Sequence, residues 1–257
     1  MQSIFKRYEK KYVITKEQGD VLQELIARYM SVDRDGEYLV QNLYYDTANW
    51  DVIRESIEKP LYKEKLRLRF YNNYNPLSQG FLELKKKYDN VVYKRRIAFS
   101  LGEIKTRCIR EIVTEHAVLA AHAANDSQIS KEIKFFLQNK NVSEKIFIVY
   151  KRTAYNSINA DNLRISFDRD IFFNLNAPVL TQRLAAEGTD FSHDKSCQIL
   201  DKNHLVMEIK TSGAVPLWLS HALSENKIFP VSFSKYGACF VNHILKRQDI
   251  KEAGNAA

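Results

Sequence analysis

The strongest constraint in this 257-residue sequence is a regular alternation of basic and apolar residues in several separate segments. Between Tyr62 and Tyr71 every second position from 63 to 69 carries a positive charge. The basic residues are Lys63, Lys65, Arg67 and Arg69, and the alternate apolar residues are Leu66, Leu68 and Phe70. Because successive side chains of a β-strand point to opposite faces, this pattern predicts a strand with one cationic and one apolar face.

The same division recurs on nearly every strand that the sequence predicts. The further same-face sets are Arg7, Glu9 and Lys11; Glu83, Lys85 and Lys87; Lys94 and Arg96; Tyr150 and Arg152; Arg164, Ser166 and Asp168; and Glu208 and Lys210. One cationic face is most simply explained by contact with water, because one-sided antiparallel sheets are common. The whole set is harder to explain in this way, since like charges at neighbouring positions repel each other. If the sheet curls or closes beneath a cover of helices, these cations would line its interior.

The order of the elements predicts an α+β fold. The predicted strands are Phe5–Ile14, Val40–Tyr45, Tyr62–Tyr71, Phe81–Tyr88, Val91–Phe99, Ile146–Tyr155, Leu163–Ile171 and Leu205–Thr211, with a hairpin turn at Asp89-Asn90. The predicted helices follow the capping box Thr15–Gln18, run over Leu101–Asn139 with a break at Asn125–Ser127, and cover about Pro216–Glu225 and Ser234–Arg247. We expect Asn174–Asp201 to be rich in loops. We also expect one domain, residues 1–250, and a frayed tail, residues 251–257.

Composition favours a soluble protein with an anionic partner. The 39 Lys and Arg residues exceed the 31 Asp and Glu residues by eight charges. This surplus suits nucleic acid, phosphates or a membrane surface, and does not choose among them. The cysteines Cys108, Cys197 and Cys239 are odd in number and lack metal-ligand spacing, which predicts reduced thiols in a cytoplasmic protein. No apolar stretch is long enough to predict a membrane segment.

A cationic interior would need an anion of comparable charge. Polyphosphate fits this requirement, because each unit of its chain is charged and arginine can bind its oxygens in a bidentate manner. Glu208 and Glu83 are the candidate ligands for Mg²⁺ or Mn²⁺, which prefer carboxylate and phosphate oxygens. Each glutamate could equally well form only an ion pair with a neighbouring Lys or Arg.

Several classes of site are absent from the sequence. It has no glycine-rich P-loop, no dinucleotide fingerprint and no serine nucleophile elbow. The six histidines are scattered and do not form a ligand pattern. Nucleic-acid binding stays open as an alternative, because basic strands with Tyr and Phe could stack on bases. It is not the function that we expect.

Six short segments, in order, resemble the catalytic domain of the vacuolar transporter chaperone (VTC) family, the polyphosphate polymerases of the wider CYTH or triphosphate tunnel superfamily. The segments are Glu9–Tyr12, Leu66–Phe70, Leu82–Lys85, Lys151–Tyr155, Leu163–Asp168 and Met207–Lys210, and Phe233–Tyr236 resembles a seventh. Their joint order extends from residue 5 to about residue 245, nearly the whole chain.

The resemblance implies a closed, antiparallel, eight-stranded β-barrel, or tunnel, with a polar basic lumen and flanking helices. It implies transfer of the γ-phosphate of ATP to a growing inorganic polyphosphate chain, with Mn²⁺ or Mg²⁺ as cofactor. The catalytic residues that it implies, all phosphate ligands, are Lys11, Arg67, Arg69, Lys85, Lys94, Arg152 and Arg164. Glu208 would bind the metal beside Lys210, and Ser234 and Lys235 would bind phosphate at the start of the last helix.

The sequence differs from the residue pattern of these families at two positions. Hydrolase and cyclase branches typically begin with Glu-x-Glu-x-Lys, whereas this chain has Arg7 in place of the first Glu. That change favours a polymerase over a two-metal triphosphatase. Ser232 stands where the polymerases carry a basic residue, which bears on the level of activity. Because the same pocket could serve other functions, a triphosphatase, an NTP hydrolase and a non-catalytic polyphosphate-binding module stay open as alternatives. Eukaryotic members carry accessory membrane-anchoring regions that this sequence lacks, so we expect action alone or with a separately encoded membrane partner.

Overall fold

The computed structural model describes residues 8–73, 75–89, 91–106, 108–119, 124–158, 162–175 and 198–246. The described residues form an eight-stranded antiparallel sheet with helices against it. The strands are β1 (Tyr8–Thr15), β2 (Met30–Asp46), β3 (Tyr62–Tyr71), β4 (Gln79–Tyr88), β5 (Val91–Ser100), β6 (Ser143–Ser157), β7 (Arg164–Asn174) and β8 (His204–Thr211). The helices are α1 (Lys16–Ile26), α2 (Asp51–Ile57), α3 (Glu103–Thr106), α4 (Ile109–Leu119), α5 (Ala124–Asn139), α6 (Leu217–Glu225) and α7 (Lys235–Cys239), which continues as a π-helical segment, Phe240–Leu245.

The sheet is strongly curled. Its strand order is β1-β8-β7-β6-β2-β3-β4-β5, so β1 and β4 are six strand spacings apart. In a flat sheet that separation would be about 29 Å. Instead, Lys85 Nζ on β4 lies 3.8 Å from Glu9 Oε1 on β1. The predicted α+β class and curled antiparallel sheet are therefore confirmed. Within the described residues no strand pairing joins β1 to β5, so the closed barrel stays a prediction.

The convex face of the sheet is apolar and covered by helices. Leu66, Leu68 and Phe70 of β3 are fully buried in a cluster with residues of α4 and α5, such as Ile112 and Phe136. A second cluster, across β1, β7 and β8, packs beneath α1 and α6. Burial of this face is the hydrophobic contribution that holds the sheet and helices together. The side chains at the intervening positions of each strand point to the opposite, concave face.

One end of the concave face is closed by the last helix. Tyr236, Phe240 and Ile244 of α7 and its π-helical continuation pack against Ile148 of β6 and Phe173 of β7. The predicted cationic interior therefore does not run along the whole concave face. The C-terminal elements fill one part of it with apolar side chains, and the charged residues occupy the remainder.

Most predicted elements are confirmed, including the capping box of α1 and the two-residue connection between β4 and β5. The predicted break at Asn125–Ser127 is wrong, because α5 already begins at Ala124. Asn, Asp and Ser are also common at the start of a helix, and here their cluster lies in the first turn of α5. Strand β2 starts ten residues before the predicted Val40, through a polar stretch with a register shift near Gly36.

Some predictions lie outside the described residues: Phe5–Arg7, most of the Asn174–Asp201 loop and the tail 251–257. Within the described part of the chain, no helix is both long and apolar enough to cross a membrane.

Candidate functional site

The charged part of the concave face gathers basic side chains from every strand except β2, and one from α7. We call this surface the basic face. Its cations are Lys11, Lys65, Arg67, Arg69, Lys85, Lys94, Arg96, Arg152, Arg164, Lys210 and Lys235. Its carboxylates are Glu9, Glu83, Asp168 and Glu208. Strand alternation places them on one side of the sheet, and the curl brings them together.

Glu83 is the centre of the first cluster on the basic face. Its carboxylate is only 1% exposed, and Oε2 accepts hydrogen bonds from Arg67 Nε (3.0 Å) and Nη2 (2.8 Å). Oε1 accepts from Arg96 Nε (2.9 Å) and pairs with Lys94 Nζ (2.7 Å). Burial alone would raise the pKa of Glu83, but the charges of Arg67, Arg69 and Lys94 hold that pKa well below its usual range. The ionised glutamate thus positions cations from β3 and β5.

Polar side chains of β2 and β6 fix the two arginines of β3. Arg67 Nη1 donates to Tyr44 Oη (3.3 Å). Arg69 is buried, and it donates from Nε to Asn42 Oδ1 (2.9 Å) and from Nη2 to Tyr150 Oη (3.3 Å). Sequence reasoning missed the contributions of Asn42 and Tyr44. The available signal was that Asn42 and Tyr44 are hydrogen-bonding side chains two residues apart in the predicted strand Val40–Tyr45, so that they share a face.

Asp168 is the centre of the second cluster. Its carboxylate is fully buried and accepts from Arg152 Nε (2.6 Å) and Nη2 (2.8 Å) and from Lys235 Nζ (2.5 Å). The Lys235 ammonium group also lies 4.4 Å from the ring centre of Tyr150. Burial raises the pKa of Asp168, and the charges of Arg152 and Lys235 more than reverse this effect. The two predicted phosphate ligands Arg152 and Lys235 are therefore brought together by Asp168, an acid to which the sequence analysis assigned no role.

The third cluster joins β1, β8 and β4. Lys11 Nζ lies 2.7 Å from Glu9 Oε1, which is also the partner of Lys85. Lys210 Nζ lies 2.7 Å from Glu208 Oε1. Burial opposes ionisation of Glu208, but Lys210, Lys11 and other cations lower its pKa well below the usual range. Both glutamates therefore carry negative charge in a basic surrounding.

The donor set on β1 and β8 suits a hard divalent cation. Glu208 and Glu9 lie on neighbouring strands, close enough for each charge to act on the other. Mg²⁺ commonly uses one or two carboxylates and takes its remaining ligands from water and substrate phosphates. Within the described residues no three His, Cys, Asp or Glu side chains form a complete ligand group. The ion pairs of Glu9 and Glu208 use Oε1 of each carboxylate, whereas both oxygens of Glu83 are engaged by Arg67, Arg96 and Lys94.

Two predicted site residues lie away from the clusters. Arg164 is 44% exposed at one end of β7, and its Nη2 lies 3.0 Å from Asp33 Oδ2. Ser234 is the N-cap of α7, where its Oγ accepts a hydrogen bond from Gly237 N (3.2 Å). The phosphate-binding role of Ser234 stays a prediction, since in this structure its hydroxyl caps the helix.

The comparison with protein families decides the family. The VTC domain matches residues 6–242. This chain belongs to the VTC domain family. The resemblance inferred from its short segments is thereby confirmed.

One curated relative of this VTC domain is subunit 2 of the vacuolar transporter chaperone complex of Schizosaccharomyces pombe. It is 22% identical over 218 residues, which are 76% of this chain and 29% of the relative. The VTC domain described here thus spans less than a third of that relative's length.

Solved structures with some similarity include a protein of Pyrococcus horikoshii OT3 and an adenylyl cyclase candidate from Hippeastrum, for which a dominant triphosphatase activity is described. The first is 12% identical with a TM-score of 0.45 and covers 91% of this chain and 99% of its own. The second is 14% identical with a TM-score of 0.47 and covers 91% of this chain and 94% of its own. The family assignment rests on the domain match over residues 6–242.

Proposed function

We propose that this VTC domain binds inorganic polyphosphate on the basic face and extends it with the γ-phosphate of ATP. The observation that carries this proposal is the convergence of Lys and Arg side chains from seven strands on one concave surface. Among the described residues, these cations outnumber the carboxylates of the same surface. The excess positive charge favours a ligand with several negative charges along its length.

The arginines give the basic face its preference for phosphate. A guanidinium group presents parallel N–H donors that match two phosphate oxygens, and it stays charged at physiological pH. Arg67 and Arg69 stand two residues apart on β3, and Arg152 approaches from β6. A phosphate chain lying along the concave face would therefore meet donors from several strands at once.

The same arrangement suits phosphoryl transfer without a covalent enzyme intermediate. An oxygen of the terminal phosphate of the acceptor chain would attack the γ-phosphorus of ATP, the bond from that phosphorus to the β,γ-bridging oxygen would break, and ADP would leave. Because the attacking oxygen is already an anionic nucleophile, no strong general base is needed. Arg67, Arg69 and Arg152 would hold the triphosphate of ATP and the acceptor in line, which removes much of the entropic cost of the reaction. Their charges would also stabilise the oxygens of the transferred group, because Glu83 and Asp168 fix the guanidinium groups in advance.

Glu208, with Glu9 beside it, would hold Mn²⁺ or Mg²⁺ on the phosphate oxygens. The ion would supply further neutralisation of negative charge during transfer. Glu83 was a second candidate for this role. We assign Glu83 to the positioning of Arg67, Arg96 and Lys94 instead, because both of its oxygens already accept from these cations.

Incubation with ATP and Mn²⁺, followed by a gel that resolves polyphosphate, tests the proposed function. We expect chains that lengthen with time in the wild type, and none in Glu208→Gln. The matched control is Glu132→Gln on the opposite face of the sheet, where Glu132 pairs with Lys86, and it should behave as the wild type. Release of phosphate without chain growth would instead indicate the triphosphatase alternative.

A second candidate function, binding of polyphosphate without catalysis, is favoured by the ion pairs of the carboxylates. Each carboxylate of the basic face lies within ion-pair distance of at least one Lys or Arg. An acid that is fully used in positioning cations would bind no metal. Tight polyphosphate binding, together with no turnover and no effect of Glu208→Gln on affinity, would establish this function in place of the first.

We also propose that the VTC domain acts at the cytoplasmic side of a larger assembly, with separately encoded partners. The fission yeast relative supports this idea, because its name describes a subunit of a complex. Isolation of the native protein in a mild detergent and measurement of its mass test the proposal. A single-chain mass in the absence of any co-purifying protein would contradict it.

A further inference from the structure

Lys65 lies in the middle of the basic face, and no individual role in binding or phosphoryl transfer has been assigned to it above. It is on β3, two residues from Lys63 and from Arg67, and it is the register partner of Lys85 on β4. Its side chain is partly buried. A lysine in this position is surrounded by positive charge on its own strand and on the next one.

Lys65 differs from the other cations of the basic face in its contacts. Each of the others donates to, or pairs with, an oxygen atom, as Arg69 does with Asn42. Among the described residues, no such acceptor is found for the ammonium group of Lys65. Lys65 Nζ instead lies over the ring of Tyr236, 5.9 Å from the ring centre. An unpaired cation in a partly buried position is costly unless a ligand supplies the acceptor.

The nearby acid Asp46 does not supply it. Asp46 Oδ2 accepts from Tyr236 Oη (2.7 Å) and from Ile53 N (3.0 Å). Asp46 Oδ1 accepts from the backbone N–H groups of Thr47 and Val52. These four donors occupy the carboxylate, which therefore contributes only a weak attraction at a distance.

The charge state of Lys65 follows from these surroundings. Burial is the largest effect, and with the charges of Lys63, Lys85 and Lys11 it lowers the pKa of Lys65 to about 7, against a weak opposing effect of Asp46. In the free protein near neutral pH, a large fraction of Lys65 is therefore neutral. A phosphate chain on the basic face would add negative charge and acceptor oxygens, both of which favour the ammonium form.

We propose that Lys65 is a further phosphate-binding residue and that it takes up a proton from solution when polyphosphate binds. The identity of the ligand rests on the proposed function. The placement of Lys65 among Lys63, Lys85 and Lys11, without an acceptor of its own, is independent of it. Proton uptake makes binding depend on pH. As the pH rises above the pKa of free Lys65, affinity falls, by up to about tenfold per pH unit while the bound form stays protonated.

Isothermal titration calorimetry tests this proposal. Inorganic polyphosphate is titrated into the protein at pH 7.5, without metal, in two buffers with different enthalpies of ionisation. The difference in heat gives the number of protons taken up. For the wild type we expect roughly three quarters of a proton more than for Lys65→Met, which is the neutral fraction of a group with this pKa. Lys65→Arg stays charged at this pH, so it should still bind polyphosphate. Like Lys65→Met, it should lack the proton uptake that the wild type owes to Lys65.

The matched control is Lys87→Met, on the same face of β4 and beyond Lys85. It should retain the uptake of the wild type. Binding by Lys65→Met and Lys65→Arg with the wild-type proton uptake would overturn the proposal for Lys65 and leave the proposed function intact. The absence of any binding heat for the wild type would overturn both.

Discussion

At the scale of the residue, the buried acids of the basic face matter as much as its cations. Glu83 accepts from Arg67 and Arg96, and Asp168 accepts from Arg152 and Lys235. Each carboxylate would be unstable alone in its buried position, and each is ionised because cations surround it. The acids therefore hold the donors in place before any ligand arrives.

Substitution of Glu83 by Gln should destabilise the protein strongly. The change leaves Arg67 and Arg96 without their counter-charge in a site where the carboxylate is 1% exposed. Removal of one partner from a buried ion pair costs about 3–5 kcal/mol. Urea unfolding at pH 7 measures the loss. Glu132→Gln is the control, because its partners Lys86 and Arg95 lie on the outer side and pairs of this kind contribute about 0–1 kcal/mol. Equal losses in both variants would contradict this account.

The stabilisation by Glu83 should also depend on pH. Its pKa in the folded protein is lower than the ordinary value of 4.5, so its contribution is fully present above that value and is lost as the pH falls below it. We expect the difference in unfolding free energy between the wild type and Glu83→Gln to narrow between pH 5 and pH 3. Urea titrations at several pH values measure this difference. A constant difference over that range would show that Glu83 is not ionised as described.

At the scale of the element, α7 is joined to the rest of the fold through Tyr236. Its hydroxyl donates to Asp46, which also accepts from Val52 N and Ile53 N in the first turn of α2. One buried carboxylate thus links β2, α2 and α7. This link fixes the helix that closes one end of the concave face.

Tyr236→Phe should therefore lower stability by about 2 kcal/mol, because a hydrogen bond to a buried charge is lost. Thermal unfolding measures the change. Tyr93→Phe is the control, since Tyr93 is exposed on β5 and its substitution should have little effect. A melting temperature of Tyr236→Phe equal to that of the control would exclude the link through Asp46.

The sequence predicted the elements whose pattern is local. Strict alternation identified β3, β4, β5 and β8, and the capping box identified α1. The early part of β2 has no alternation, and its strand structure depends on pairing with β6 far along the chain. The packing of Tyr236 and Phe240 into the concave face depends on contacts with strands that are distant in the sequence. The sequence therefore predicted that α7 is a helix, but it could not predict where α7 packs.

At the scale of the whole molecule, the curl of the sheet creates the basic face. Alternation predicted which residues share a side of each strand, and the family resemblance assigned Lys11, Lys85 and Glu208 their roles in the candidate site. It could not predict which acid serves which cation. The contact between Glu9 and Lys85 joins strands that are six spacings apart in the sheet, and it exists only because the sheet curls.

Binding of a polyanion to such a surface should be sensitive to salt. Several charged contacts form at once, and each releases counterions, as in the binding of nucleic acid to basic proteins. We expect the affinity for polyphosphate to fall by at least about tenfold between 50 and 200 mM salt. Fluorescence anisotropy with labelled polyphosphate measures this dependence. An affinity that is unchanged over this range would contradict a ligand held mainly by Lys and Arg.

The central claim is that the concave cationic surface, and not the net charge of the protein, binds polyphosphate. The most direct test compares the polyphosphate affinity of Arg67→Met with that of Lys140→Met at low salt. Both variants lose one positive charge, but Lys140 lies on the outer surface and pairs with Glu55. We predict at least about a tenfold loss of affinity for Arg67→Met, the effect of one charge-assisted hydrogen-bonded contact, and almost none for Lys140→Met. Equal affinities of the two variants would contradict the claim.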